Sequence, residues 1–333
     1  MNNRALLGLL ALVVLGLLAW ELRWVLLVLF GAVVLAVALD VPITLLRRIL
    51  PLNRPAALVS VIVAIVVVGG WLGQLLIPEL LDQINQLSIL IPVLSQRIVT
   101  MASHVTWLPS IENQLLQPGL LEKLQPVGSQ LLGLAGGAAN TSIQLLLMVL
   151  LALLLALDPR NHQNLLIAIT PKLWRYKTKE VLGECRVALG GWLAGMTISA
   201  ASVFLLTWAG LSLLKIPLAL LSALACGLLT FVPTIGPTVA TLLPLAVALL
   251  VSPTALVQVL ILRLIIQNVE AFLITPILLS RTVNLLPTVA LMAQLCLGAL
   301  LGLPGVLLAL PLVVVLQVIC EEVIVKELMD RWA

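Results

Sequence analysis

The stretch Phe231-Val232-Pro233-Thr234-Ile235-Gly236-Pro237 lies between two apolar runs, Ile216 to Thr230 and Thr238 to Val251, that would otherwise read as one long helix. Two prolines without N–H groups bracket a glycine of wide backbone freedom, so a helix cannot continue through it. Each flanking run has about fourteen or fifteen residues. That is near the lower limit for crossing a bilayer and the right size for a re-entrant hairpin. The following segment, 254–279, is again apolar but carries Arg263, Gln267 and Glu270 at i, i+4 and i+7, which places three polar groups on one helical face. Pro276 interrupts it in turn. Broken backbone inside lipid is tolerated only where protein or a water-filled cavity satisfies it, so interrupted apolar segments with ionisable groups mark a permeation pathway. The candidate pathway residues are Pro233, Thr234, Gly236, Pro237, Arg263, Gln267, Glu270 and Pro276.

The rest of the chain suits such a pathway. Of 333 residues, 62% are hydrophobic and 10% charged, and the mean hydropathy is +1.22. Soluble domains hold about 45–50% apolar and about 25% charged residues. The composition therefore predicts an all-α polytopic membrane protein whose first partner is the lipid bilayer. About eight membrane segments are expected, two of them broken or re-entrant, with an exterior helical region.

Three parts follow from position and composition: membrane spans over 1–77, an exterior amphipathic region over 78–139 and a membrane transport core over 140–333. Ala5 to Trp20 and the run ending at Leu39 read as a transmembrane hairpin joined by Trp20-Glu21-Leu22-Arg23-Trp24, whose aromatics suit an interface. Pro55 to Ile77 is a third span, Thr141 to Leu157 a fourth and Val187 to Leu214 a fifth; Gly191, Gly195 and Ser199 give the fifth a small-residue face for close helix approach. In the exterior region Ile77, Leu80, Ile84, Leu87, Ile91, Leu94, Ile98, Met101 and Val105 form a heptad-like stripe, with Pro92 expected to kink it. The stripe is either a contact in a homo-oligomer or a face folded onto nearby helices or the bilayer surface.

Towards the C-terminus, 285–320 is apolar but interrupted at Pro304-Gly305 and Pro311. Pro237 to Pro244 and Pro304 to Pro311 share a spacing, a pointer to an internal repeat of the kind transporters show. Lys and Arg number three in 40–54 and six in 158–186, but only Arg97 and Lys123 lie in 78–139. Basic loops stay inside, so the first two regions and both termini are expected to be cytoplasmic and 78–139 external.

The chemistry of the chain is narrow. No Walker A loop, G-x-G-x-x-G or H-E-x-x-H occurs, and Cys185, Cys226, Cys296 and Cys320 are far apart, so no enzyme activity, cofactor or metal site is expected. The net charge of +4 is spread over loops without a basic stripe, which gives no reading as a nucleic-acid binder. Glu270 is the most informative residue: a charge near the bilayer centre costs about 2.5–3.5 kcal/mol and must be paired, protonated or hydrated. Arg263, two turns back on the same face, is its candidate partner through Gln267; the alternative is that both charges mark segment ends at an interface. Carbonyls freed before the break suit a cation and the amide end after it suits an anion, so the break alone leaves both open.

Three motifs carry a family resemblance. Phe231-Val232-Pro233-Thr234-Ile235-Gly236-Pro237, then Gln267-Asn268-Val269-Glu270 leading to Thr275-Pro276, and Val283-Asn284-Leu285-Leu286-Pro287 resemble, in order and spacing, the signatures of the autoinducer-2 exporter (AI-2E) family of bacterial permeases. The likeness is closest over 186–323. It implies a multi-pass protein of the bacterial inner membrane that exports the signalling molecule autoinducer-2 or exchanges sodium for protons. The expected function is movement of a small polar solute or a cation without ATP hydrolysis; the alternatives are a non-transporting membrane scaffold and a passive channel.

Overall fold

The computed structural model describes residues 14, 16–18, 20–103, 138–232, 235–274, 276 and 286–329. Among these no strand occurs, and the elements are α1 (Arg23–Ile49), α2 (Arg54–Ser103), α3 (Ala138–Leu157), α4 (Pro159–Ile169), α5 (Arg175–Leu213), α6 (Ala219–Leu229), α7 (Ile235–Val251), α8 (Pro253–Val269) and α9 (Pro287–Ile319). Most of the exterior region expected over 78–139, the stretch 104–137, lies outside the described residues. So does most of the first expected span.

The chain is an all-α polytopic membrane protein. Five helical stretches are long and apolar enough to cross a membrane, and α3 with α4, bent by 90°, makes a sixth candidate. The shorter apolar helices α6 and α7 bring the segments to the expected number of about eight.

Local sequence explains the boundaries. Asp158 stops α3 and caps α4, its carboxylate accepting the N–H of Asn161 while Pro159 takes the first helical position. Ser252 caps α8 in the same way, accepting from Ala255 N–H at 3.0 Å ahead of Pro253. Arg47 and Arg48 occupy the last turn of α1, where cations complement the helix dipole. The span expected to end near Ile77 is instead the first half of α2, which runs on to Ser103; a helix of 50 residues is about 75 Å long and outruns a core of about 30 Å. Pro92 does not end it.

Contacts divide the chain into two compact units, one of Met1–Val61, Ser142–Ala194 and Thr282–Ala333, the other of Ile62–Thr141 and Gly195–Arg281. In the first, α1 packs on α9. In the second, α7 packs on both α6 and α8, around a core of Leu211, Ile216, Leu218, Val247, Ala248, Ala255 and Val259. Leu87 of the heptad-like stripe packs against this core, while Ile77 and Ile84 stay exposed. Among its described side chains the stripe is therefore divided, and Leu87 serves local packing.

Each unit contains a tight reversal built on a glycine. In the second unit α6, with 11 residues and a length of about 16 Å, is too short to cross and turns back into α7. A Cβ at Gly236 would collide with the carbonyl oxygen of Leu229. In the first unit α9 is broken at Gly302, with φ 65° and ψ −149°, a conformation that favours glycine. A Cβ at Gly305 would collide with the carbonyl oxygen of Leu297, and one at Gly298 would meet Val306, so the chain folds back on itself there. In each unit the close approach is made at a glycine next to a proline, Gly236 before Pro237 in one and Gly305 after Pro304 in the other.

Candidate functional site

The site lies in the second unit, where α8 faces the start of α7. Arg263 is 4% exposed. Its Nε donates to the hydroxyl of Thr241 at 3.1 Å, one terminal nitrogen to the hydroxyl of Thr207 at 3.3 Å and the other to the carbonyl of Pro237 at 3.4 Å. The Thr241 hydroxyl also donates to that carbonyl, at 2.7 Å. The break thus holds the first turn of α7 against a buried guanidinium. Among the described residues no carboxylate lies within ion-pair distance of Arg263, and the guanidinium's partners there are neutral oxygens. Charge-assisted bonds of this kind contribute about 1.5–3 kcal/mol each, against a desolvation cost of several kcal/mol.

Glu270 has its own partners. Ser199 of α5 donates to Oε1 at 2.9 Å, and Gln267 donates its amide to Oε2 at 3.1 Å. The expected bridge from Arg263 through Gln267 to Glu270 is therefore half formed: Gln267 serves Glu270, while Arg263 turns to Thr207, Thr241 and Pro237. The physical reason is distance: seven residues of helix set the two Cα atoms about 10 Å apart, and each charge finds neutral partners nearer to hand.

The break itself is tightly bonded. Thr230, Phe231, Val232 and Gly236 donate their N–H groups to the carbonyls of Cys226, Leu228, Leu229 and Val232 at 2.7–3.2 Å, so these carbonyls already have partners. The Thr230 hydroxyl is spent on Cys226 O at 2.8 Å. Pro244, lacking an N–H, leaves the carbonyl of Ala240 without its helical donor, and the thiol of Cys226 fills that place at 3.4 Å. The expectation of freed carbonyls for a cation is not met at these positions, since short turns close them.

Of the eight residues selected from sequence, Gly236, Pro237 and Arg263 are brought together, and Gln267 with Glu270 forms a second polar pair farther along α8. Pro276 is exposed, and Pro233 and Thr234 lie outside the described residues. Sequence reasoning missed Thr207, Thr241 and the polar use of Ser199, since a lone hydroxyl in an apolar helix gives no periodic signal. In the first unit it also missed Gln294 of α9, 2% exposed, whose amide nitrogen and oxygen both lack a partner among the described residues.

Comparison with known proteins agrees with this architecture. The chain is 27% identical over 150 residues to the candidate transport protein YrrI of Bacillus subtilis, covering 45% of this chain and 42% of YrrI. It is 24% identical over 289 residues to the candidate transport protein sll0060 of Synechocystis sp., covering 83% of this chain and 82% of the relative. A third relative, the candidate transport protein MT0215 of Mycobacterium tuberculosis, is 31% identical over 42% of each chain. With YrrI and MT0215 the match thus spans less than half of the relative's length. The model of the AI-2E family transporters matches residues 9–324, nearly the whole sequence, and the chain belongs to that family.

Proposed function

We propose that the chain is a permease of the bacterial inner membrane that moves a small polar solute without ATP hydrolysis, with Arg263 as the group that meets the solute. The carrying observation is the burial of Arg263 at the backbone break, where its partners among the described residues are all neutral. A guanidinium held by hydroxyls and one carbonyl exchanges these for the oxygens of a solute without breaking an ion pair, so binding and release stay balanced. A guanidinium locked to a carboxylate would resist that exchange.

A second reading rests on Glu270. Its carboxylate accepts from two neutral donors, Ser199 and Gln267, and such a group can take up a proton or a sodium ion in turn. Exchange of sodium for protons is the form of transport this pair would support.

The test is flux through purified protein in liposomes without nucleotide, under an imposed sodium or proton gradient, with and without a polar signalling solute. Solute movement above protein-free vesicles supports the first reading, and cation exchange without solute supports the second. A scaffold gives neither. Flux with no saturation and no gradient coupling identifies a passive channel.

A further inference from the structure

The first compact unit holds a cavity of about 320 Å³ that shares no residue with the Arg263 site. Its wall is mostly apolar, with Phe30 and Val33 of α1, Leu155 of α3, Leu166 of α4, Leu189 of α5 and Val315 of α9. The charge is concentrated in Asp40, Arg54 and Arg186. Arg54 donates to Asp40 Oδ1 at 2.5 Å and to the carbonyl of Ala156 at 2.9 Å, and Arg186 holds Oδ2 of the same carboxylate through two nitrogens. Two guanidiniums share one carboxylate, which leaves a net positive charge in the lining of an otherwise apolar cavity.

Position in the membrane follows from the chain path. At Asp158-Pro159 the apolar α3 ends, and α4 departs at 90° with Leu165, Leu166 and Ile169 exposed, a bend that suits a helix lying along the membrane surface with the cavity beside it. Leu166 and Val33 line the cavity and are also 52% and 38% exposed, so it opens towards the lipid. The Arg186 side chain is 41% exposed and within reach from outside. Water alone does not suit a space so poor in polar partners.

We propose that this cavity is a lipid site that takes one acyl chain of an anionic phospholipid, with the headgroup phosphate against Arg186 and Arg54. Basic pockets between membrane helices bind acidic headgroups through the same pairing. His162, also in the lining, is engaged through Nδ1 with the carbonyl of Asp158 at 2.7 Å.

The experiment compares retention of phosphatidylglycerol and phosphatidylcholine of the same acyl composition by the full chain in neutral detergent, read by native mass spectrometry, with glycerol phosphate as a third arm. The expected result is about fivefold preference for the anionic lipid, the factor for one basic residue at a surface. Arg186→Gln is expected to erase the preference, and Val33→Phe, at a half-exposed wall position that tolerates bulk, to lower retention of both lipids. Equal retention of the two lipids by the wild type would overturn the proposal. So would glycerol phosphate displacing the lipid at equal concentration, which would mark a plain phosphate site. If Arg186→Gln does not fold, the Val33→Phe protein decides: unchanged retention there rules the cavity out.

Discussion

Arg263 of α8 donates to the hydroxyl of Thr207 on α5 at 3.3 Å, and no acidic group answers its charge among the described residues. Glu270, two turns along the same helix, is held by Ser199 and Gln267. The two charges that look like a pair in sequence are separate polar centres.

That separation predicts additivity. Arg263→Gln and Glu270→Gln are each expected to lower thermal stability in detergent, and the double variant to lose the sum of the two within about 0.5 kcal/mol. A directly bonded pair would show a coupling of about 0.5–3 kcal/mol. Recovery of stability in the double variant would restore the ion-pair account.

The two helical reversals predict a contrast between glycines. Gly236→Ala and Gly305→Ala are expected to abolish folded expression, because the new methyl group meets a backbone carbonyl that cannot move aside. Gly69→Ala, in the interior of α2 with nothing within 4 Å, is expected to be neutral or to gain up to about 1 kcal/mol. Expression yield and melting temperature of the three proteins decide the matter.

Gln83 of α2 accepts the N–H of Leu221 at 2.8 Å, supplying the cap that Leu218, in a left-handed conformation, cannot give to α6. Gln83→Leu is expected to cost about 1–2 kcal/mol, while Gln86→Leu, one turn on and exposed, costs little. Equal melts for the two variants would remove Gln83 from its capping role.

The basic loops predict that 158–186 faces the cytoplasm and that Ser103 lies outside. An impermeant thiol reagent on intact cells is expected to label Ser103→Cys and not Lys179→Cys, in a background without the native cysteines. The reverse pattern would invert the topology.

Much of the fold is legible in the sequence because lipid imposes simple rules. Apolar runs of sufficient length are helices, and Asp158-Pro159 and Ser252-Pro253 announce their ends by capping chemistry. What was hidden depends on distant neighbours. The continuation of α2 past Ile77 is favoured by Leu87, which finds a core made by residues more than a hundred positions away. The break in α9 sits at Gly302, not at the more conspicuous Pro304, because the reversal needs a positive φ. In the site, Arg263 and Glu270 stood out as charges in an apolar segment, but their hydroxyl partners did not. Thr207 is fully buried and has meaning only once α5 and α8 lie side by side.

The most direct measurement is solute flux into liposomes carrying the wild type, Arg263→Lys or Arg263→Gln at equal protein density. Loss of the guanidinium's charge-assisted bonds, about 1.5–3 kcal/mol, is expected to lower flux about tenfold or more in Arg263→Gln, with Arg263→Lys in between and both proteins inserted normally. Wild-type flux in a well-inserted Arg263→Gln protein would contradict the assignment of the buried arginine as the group that meets the solute.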